Sequence, residues 1–576
     1  MQNKHMKVSL SILVALAAVL VSLFAAGSAS ASSLSTHKHT SGGLSPSAIK
    51  GPATTVTGHS QNLFSLPKSK APTRQLAAHT RSMPLLVSPK LAQAKKVATQ
   101  NKNAPHARAI DAATITSAAK SPRIGFQGMA DSPTICPYFG GCQPPDMALA
   151  TSPKFVFQGV NTSFALYNTS GTLVAGPVNS QVFFGIPNPP NNCDPAGPFT
   201  SDPRAFYDPN TGLFWAAMLQ VEGALGVGPN CPFKSAYWVA NFNPNTGTMH
   251  VYSFDMTLGT TNVADYTQFG FNKDSVALSA NMFDQNGFAY LYAEAFFVDK
   301  HKMETGAPVT AHFFTHFAVG SVLVDTVQPV ETITPANMDP GVEYLVNSFN
   351  MNGDPFGGNC LFTTCQGFVT WAYDSSTNTI SGIVVLPQIP NPIYILPPNA
   401  DQPGCFGCVE TIDTRITGTP VYSIGSGNGL ISFSIDTAVS NGVNVVPGIL
   451  WGQIQPALTG GALFAALLFQ GSYLNFSGDR DASFGAMMQD KNGRLVMVFD
   501  TMSADLNPSI MVTERLKNDP LNNLRPPSFL IKGTIATGDS RWGDFEAASY
   551  DGFKTNHIWV ASQYSNGDWA TFIARV

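Results

Sequence analysis

Beyond residue 123 the chain is a succession of short apolar runs separated by polar turns. "FVFQGVNTSFALY" (155–167), "LFWAAMLQV" (213–221), "SAYWVANF" (235–242), "SVALSANMF" (275–283), "AYLYAEAFFV" (289–298), "RLVMVF" (494–499) and "HIWVASQY" (557–564) are of strand length and rich in β-branched or aromatic residues. No long 3.6-residue period runs through them, so they predict strands, not helices. A turn pattern recurs between such runs: "YNTSGTL" from Tyr167, "YDPNTGL" from Tyr207, "FNPNTGT" from Phe242 and "FDQNGFA" from Phe283. Later copies are "YDSSTNT" from Tyr373, "GSGNGLI" from Gly425, "QDKNGRL" from Gln489 and "YDGFKTN" from Tyr550. In these turns Asp or Asn bonds its own backbone, Pro presets φ, and Gly accepts φ > 0, so each copy predicts a β-hairpin.

Hairpins repeated along residues 123–576 predict an all-β body with radial repetition, a β-propeller. Seven blades fit best, at roughly 65 residues each, with six or eight left open by insertions. The competing architecture is two or three β-sandwiches in series. No linker-like shift of composition divides 124–576, which favours the ring.

The N-terminal part has a different texture. A short basic leader, an apolar run from Val8 to Ala26, and Ala29-Ser30-Ala31 predict a signal peptide over 1–31 and therefore a secreted protein. After cleavage no segment is expected to span a membrane. Residues 32–122 hold twelve Lys or Arg against one acid, Asp111, from Ser33 to Pro122; eighteen basic residues face thirty-five acidic ones from Arg123 onward. With almost no aromatics, 32–122 predict a disordered basic linker or propeptide, and 123–576 the propeller domain. The arm's charge suits contact with cell wall or another anionic surface. Nucleic acid is excluded as a partner of the acidic body.

The cysteines are Cys136, Cys142, Cys193, Cys231, Cys360, Cys365, Cys405 and Cys408. With export predicted, their even number and close pairing indicate disulfides, with 136–142, 193–231, 360–365 and 405–408 as the working set. Zinc held by Cys360, Cys365, Cys405 and Cys408 is the alternative, and a redox Cys405-x-x-Cys408 a further one.

"PPDMALATSPKFVFQGVNTSFALYNTSG" (144–171), "SDPRAFYDPNTGLFWAAML" (201–219), "DYTQFGFNKDSVALSANMF" (265–283) and "RWGDFEAASYDG" (541–552) resemble a family of secreted bacterial proteins described as sialidase-like or seven-bladed β-propellers. The resemblance spans most of 124–576 and implies the fold without implying a settled activity. The chain departs from the family pattern at Thr267, where Pro is usual, and at Phe545, where Tyr is usual.

Chemistry is sparse. Arg204, Arg415, Arg480 and Arg541 lie beside acids at the starts of apolar strands. If those strands are innermost in their blades, the guanidiniums converge on the central channel, where a fork of them would hold a carboxylate. Asp202, Glu410, Asp413, Asp481 and Asp544 are the candidate acids, and Tyr266 the candidate nucleophile that a sialidase-like hydrolase or lyase would need. The structural alternative is that Asp and Arg clamp neighbouring blades, and it is the preferred reading. His312 and His316 read as a packed or surface pair. No metal site is expected, and no cofactor, with calcium left open at "DRDASFG" (479–485). The sequence therefore predicts a secreted propeller that binds extracellular glycan or protein, with a glycosidase as the second reading.

Overall fold

The computed structural model describes residues 45–71, 89–111, 124–136, 142–194, 197–286, 289–348, 365–387, 393–539 and 541–576. The proposed signal peptide lies outside them. Among the described residues no helix is long and apolar enough to cross a membrane.

The described strands form seven blades of four antiparallel strands each, following the chain. Blade 1 runs from Ala148–Thr151 to Leu173–Asn179, blade 2 from Phe199–Asp208 to Thr248–Asp255, and blade 3 from Val263–Phe271 to Val309–Val319. Blade 4 runs from Gln328–Pro329 to Thr379–Pro387, blade 5 from Val421–Ser423 to Ala462–Leu474, and blade 6 from Asp481–Gln489 to Ser528–Ile531. Blade 7 takes three strands from the C-terminal part, Ala547–Tyr550, Ile558–Ser565 and Trp569–Arg575. Its fourth, Gly125–Ala130, comes from ahead of blade 1. That shared blade closes the ring, and the innermost strand of blade 7 lies beside that of blade 1. Closure removes the open edges that a linear array of sheets would leave.

Burial explains why these sequences form blades. Middle strands such as Ser275–Phe283 and Leu495–Ser503 are buried along their whole length, so both faces are apolar or small except for hydrogen-bonded polar side chains such as Asn281 and Asp500. Seven apolar clusters occupy the seven blade-to-blade junctions. Between blades 2 and 3, Phe206 stacks on Phe271 at 4.0 Å between ring centroids; between blades 3 and 4, Phe297 stacks on Tyr373 at 3.8 Å. Each sheet is thus one half of two cores.

The repeated turns form as their chemistry predicts. Asp208 accepts from the Asn210 amide at 2.8 Å, and Gly212 closes the turn with φ 76°. Asn168, Asn243, Asp374 and Asp490 each accept from the amide two residues on.

Two stretches of the basic arm, 45–71 and 89–111, are among the described residues and lie against the blades. Pro46–Val56 pairs antiparallel with Val309–Val319 as a fifth strand of blade 3, and His59–Asn62 does the same for blade 2 on Thr248–Val251. The segment is held by main-chain pairing to sheet edges, which needs no apolar sequence, and that is why composition failed to reveal it. The helix Pro89–Val97 buries Leu91 and Ala94 against Leu396, and Ala104 packs on Ile395 and Ala438.

Candidate functional site

Every innermost strand starts at the same face of the ring, and the second-to-third-strand loops and blade crossings lie there too. We call it the mouth face. Three disulfides, Cys136–Cys142, Cys193–Cys231 and Cys405–Cys408, staple mouth-face segments. Cys365, in the corresponding loop of blade 4, is also disulfide-bonded; Cys360 lies outside the described residues. No described cysteine is free, so the zinc alternative has no thiolate to use.

The "SDPR" stretch has a specific shape. Register slips between Ser201 and Arg204, and the residue inside the bulge, Asp202, sits at φ 57°. The same bulge occurs in blade 3 at Tyr266 (φ 52°) and in blade 6 at Phe484 (φ 56°). A left-handed conformation at a non-glycine residue costs about 1–3 kcal/mol, so something must fix it. What fixes it is the neighbouring blade. The Asp202 amide donates to Asn161 of blade 1 at 2.7 Å, and the Phe484 amide to Asp436 of blade 5 at 2.9 Å. In blade 3 the amide just after the bulge, Thr267, donates to Asp202 at 3.1 Å. The Thr326 amide (φ 48°) donates to Asn281 at 2.6 Å, and the Asp544 amide to Asp146 at 2.9 Å. At five junctions, therefore, a buried Asp or Asn of one blade holds the inner-strand start of another. The clamp expected between Asp and Arg side chains is in these cases made by Asp or Asn and main chain.

Three of the four candidate arginines converge at the mouth, and acids hold two of them. Arg415 makes a two-pronged pair with Asp413, at 2.9 and 2.7 Å. Burial opposes its charge, but Asp413, with Tyr266 and Asp325, raises the Arg415 pKa on balance. Arg541 pairs with Asp544 and reaches Glu410 at 3.2 Å, joining blade 7 to the crossing between blades 4 and 5. Arg204 differs. Its guanidinium carbon lies over Phe545, 3.3 Å from the ring centroid; it donates from Nε to the Thr267 carbonyl at 3.2 Å, and leaves Nη2 without a partner among the described residues. Arg480 does not join them; it packs against Phe476 and Phe529 on the flank of blades 5 and 6. Asp481 likewise turns aside, accepting from the Asp401 amide at 2.8 Å.

The mouth is filled. Tyr266, Ile412, Phe484, Trp542 and Phe545 pack into one cluster, each no more than 2% exposed. Below it the channel is narrow, lined by Ala148, Ala205, Ala486 and Ala547 with Arg204, Glu331 and Glu546. Tyr266, the candidate nucleophile, spends its hydroxyl on the Ile416 and Asp544 carbonyls at 3.3 and 3.4 Å. Burial raises its pKa, the reverse of what a phenolate nucleophile needs. Burial also pushes up the carboxyls of Asp146, Asp202 and Glu410, and takes Asp265 and Glu331 to about 8.

Composition could not single out Asn161, Asp436 or Asp500, because each lies inside an ordinary-looking strand or turn. Asp146 stood in the quoted "PPD" but only its φ of 47° and its bond to Asp544 mark its role. Asn161 and Asn475, which begin N-x-S/T sequons, are buried. His316 stacks on Tyr292 and His312 meets Asn378, so the histidine pair is structural. No cluster of three or more metal-ligating side chains occurs among the described residues.

No family model matches the chain, and neither does any curated protein. Among solved structures it is similar to an apocarotenoid oxygenase of Synechocystis (12% identical, covering 67% of this chain and 71% of that one, TM-score 0.34). It is also similar to the Dos1 propeller (9%, 74% and 77%, TM-score 0.32) and to Trypanosoma rangeli sialidase (10%, 65% and 54%, TM-score 0.32).

Proposed function

We propose that this protein is a non-catalytic propeller that binds extracellular carbohydrate or protein through its mouth-face loops. The observation that carries the reading is the neutralised mouth: Arg415 and Arg541 are engaged by Asp413, Asp544 and Glu410 above a filled channel. A hydrolase of acidic sugars needs a fork of unengaged cations and room for a ring; here two of the three converging arginines are paired with acids and packed side chains fill the mouth. The mouth-face loops, by contrast, are built for contact. Phe406 is 76% exposed in the strand Cys405–Val409, between the disulfide-bonded Cys405 and Cys408, and so presents a constrained aromatic surface. Rigid exposed aromatics bind at low entropic cost.

The test is a glycan and protein array probed with the folded chain, run beside a sialoside hydrolysis assay. Binding lost in Phe406→Ala with an unchanged melting temperature supports the reading. Turnover of a sialoside that disappears in Arg204→Ala but survives Phe406→Ala would replace it with the glycosidase reading.

A further inference from the structure

Asp208 does more than cap its turn. Its carboxyl is in contact with the ammonium of Lys300, which begins the short helix Lys300–Glu304 after the third strand of blade 3. The two side chains are 0% and 2% exposed. A pair so deep loses more hydration than it regains unless its donors and acceptors are all used. Lys300 brings three N–H donors, and its other ion pair among the described residues, with Glu304 Oε1, is stretched to 3.5 Å. The carboxyl, by contrast, is held at both oxygens. Oδ1 accepts from the Asn210 amide at 2.8 Å, and Oδ2, the oxygen that meets Lys300, accepts from the Thr211 hydroxyl at 2.9 Å. An acid lies beside the pair. The Phe271 ring is 5.4 Å from Lys300 Nζ, and Phe271 is bridged to Glu331 of blade 4. Glu331 is 4% exposed and lines the central channel. Burial and the Asp208 charge raise its pKa to about 8, so it carries a proton at neutral pH.

We propose that Lys300 and Asp208 condense into an intramolecular isopeptide bond, a covalent staple between blades 2 and 3. Nζ passes one proton to the carboxyl and attacks Cγ of Asp208. Negative charge develops on Oδ1, where the Asn210 N–H already points. The Nζ–Cγ bond forms, the Cγ–Oδ2 bond breaks, and Oδ2 departs as water with two of the three ammonium protons. Glu331 relays the second of these, giving its own proton to Oδ2 and taking one from Nζ, and so ends unchanged. An ammonium and a carboxylate become one amide and one water, and the balance needs no oxidant, reductant or further reactant. Contact inside a folded protein supplies the effective concentration such a step requires. The product replaces two buried charges by one amide, which removes the desolvation cost of the pair. Asp208 has no competing ring closure, because Pro209 offers no N–H for a succinimide. The inference does not depend on the carbohydrate-or-protein reading above; either can fail alone.

The test is mass spectrometry of the full chain after folding, then reduction, alkylation and denaturation. With its N-terminus mapped, the chain is expected to be lighter by one water than its sequence requires. Trypsin should leave Lys300 uncut and yield a branched product joining 205–234 to 274–302. Lys300→Arg, which keeps a cation beside Asp208 but no primary amine, should show the full mass and the two peptides apart. Glu331→Gln should fold and leave most of the chain uncondensed. A wild-type chain of full mass, cut after Lys300, overturns the proposal, as does a loss of water that maps to any other pair. Condensation as complete in Glu331→Gln as in wild type overturns the part given to Glu331. If Glu331→Gln does not fold, the wild-type peptide map still decides whether the bond exists.

Discussion

Asp500 offers the sharpest measurement of how the ring is held. It lies in the second strand of blade 6, fully buried, and accepts from Trp542 Nε1 at 2.7 Å and from the Ser562 hydroxyl, both of blade 7 or its approach. Burial pushes its pKa from 3.8 to about 7, against the pull of those donors. A carboxyl whose folded pKa is raised contributes stability that is complete below its unfolded pKa and lost as pH rises through the folded one. A shift of about 3 units at 1.36 kcal/mol each predicts a loss of about 4 kcal/mol between pH 4 and pH 7 from this one group. Asp500→Asn keeps an acceptor for Trp542 and abolishes ionisation. The difference in unfolding free energy between wild type and Asp500→Asn should therefore swing by about 4 kcal/mol toward the variant over that range. Urea-denaturation midpoints of the two proteins, measured side by side from pH 4 to pH 8, read the swing, since titrating groups that do not feel Asp500 cancel in the difference; Glu546, whose carboxyl feels the Asp500 charge, adds to it. Asp500→Ala supplies the contrast: at pH 4 it leaves the indole N–H and the hydroxyl unsatisfied, at about 1–3 kcal/mol each. Parallel pH profiles for wild type and Asp500→Asn would refute the account of Asp500 as a buried, predominantly neutral clamp.

Other expectations follow from the same geometry. Arg541→Ala strands Glu410 and Asp544 without their cation and should cost about 3–5 kcal/mol by denaturant unfolding; Arg541→Lys should recover little, because an ammonium cannot fork between both acids. Gly270→Ala would set a methyl 2.7 Å from the backbone of Pro329 where blades 3 and 4 meet, a cost of about 1–3 kcal/mol visible as a lowered melting temperature. Replacing Cys193 and Cys231 by Ser together opens a loop of 38 residues and should lower stability by about 4 kcal/mol on chain-entropy grounds, checked by unfolding with and without reductant.

The fold was legible because its signal is local and repeated. An Asp208 that caps its own turn and a Gly212 at φ 76° announce themselves within six residues. Most of these turns, however, join first to second or third to fourth strands, and so lie on the face opposite the mouth. The strongest periodic signal in the sequence marks the side of the ring away from the candidate site. The site was legible only in part. Arg204, Arg415 and Arg541 do converge, as their positions beside strand starts suggested; Asp413 and Asp544, which hold two of them, are local in sequence, whereas Glu410, the second partner of Arg541, is distant. Arg480 follows the same local pattern and points elsewhere, toward Phe476 and Phe529. The docking of Pro46–Val56 and His59–Asn62 left no mark in the composition, because strand addition at a sheet edge uses main-chain groups that every residue carries.

The closure of blade 7 has a further consequence in time. Met129 accepts a hydrogen bond from Thr571, 442 positions later, and Thr55 of the arm faces Thr310, 255 positions later. During synthesis the earliest described segments must wait for partners that do not yet exist. Such long-range pairing is slow and exposes sticky intermediates. It also makes completeness a condition of folding. A chain cut before Trp569 can build its middle blades but leaves Gly125–Ala130 with no strand to join, so the ring itself discriminates finished from unfinished molecules.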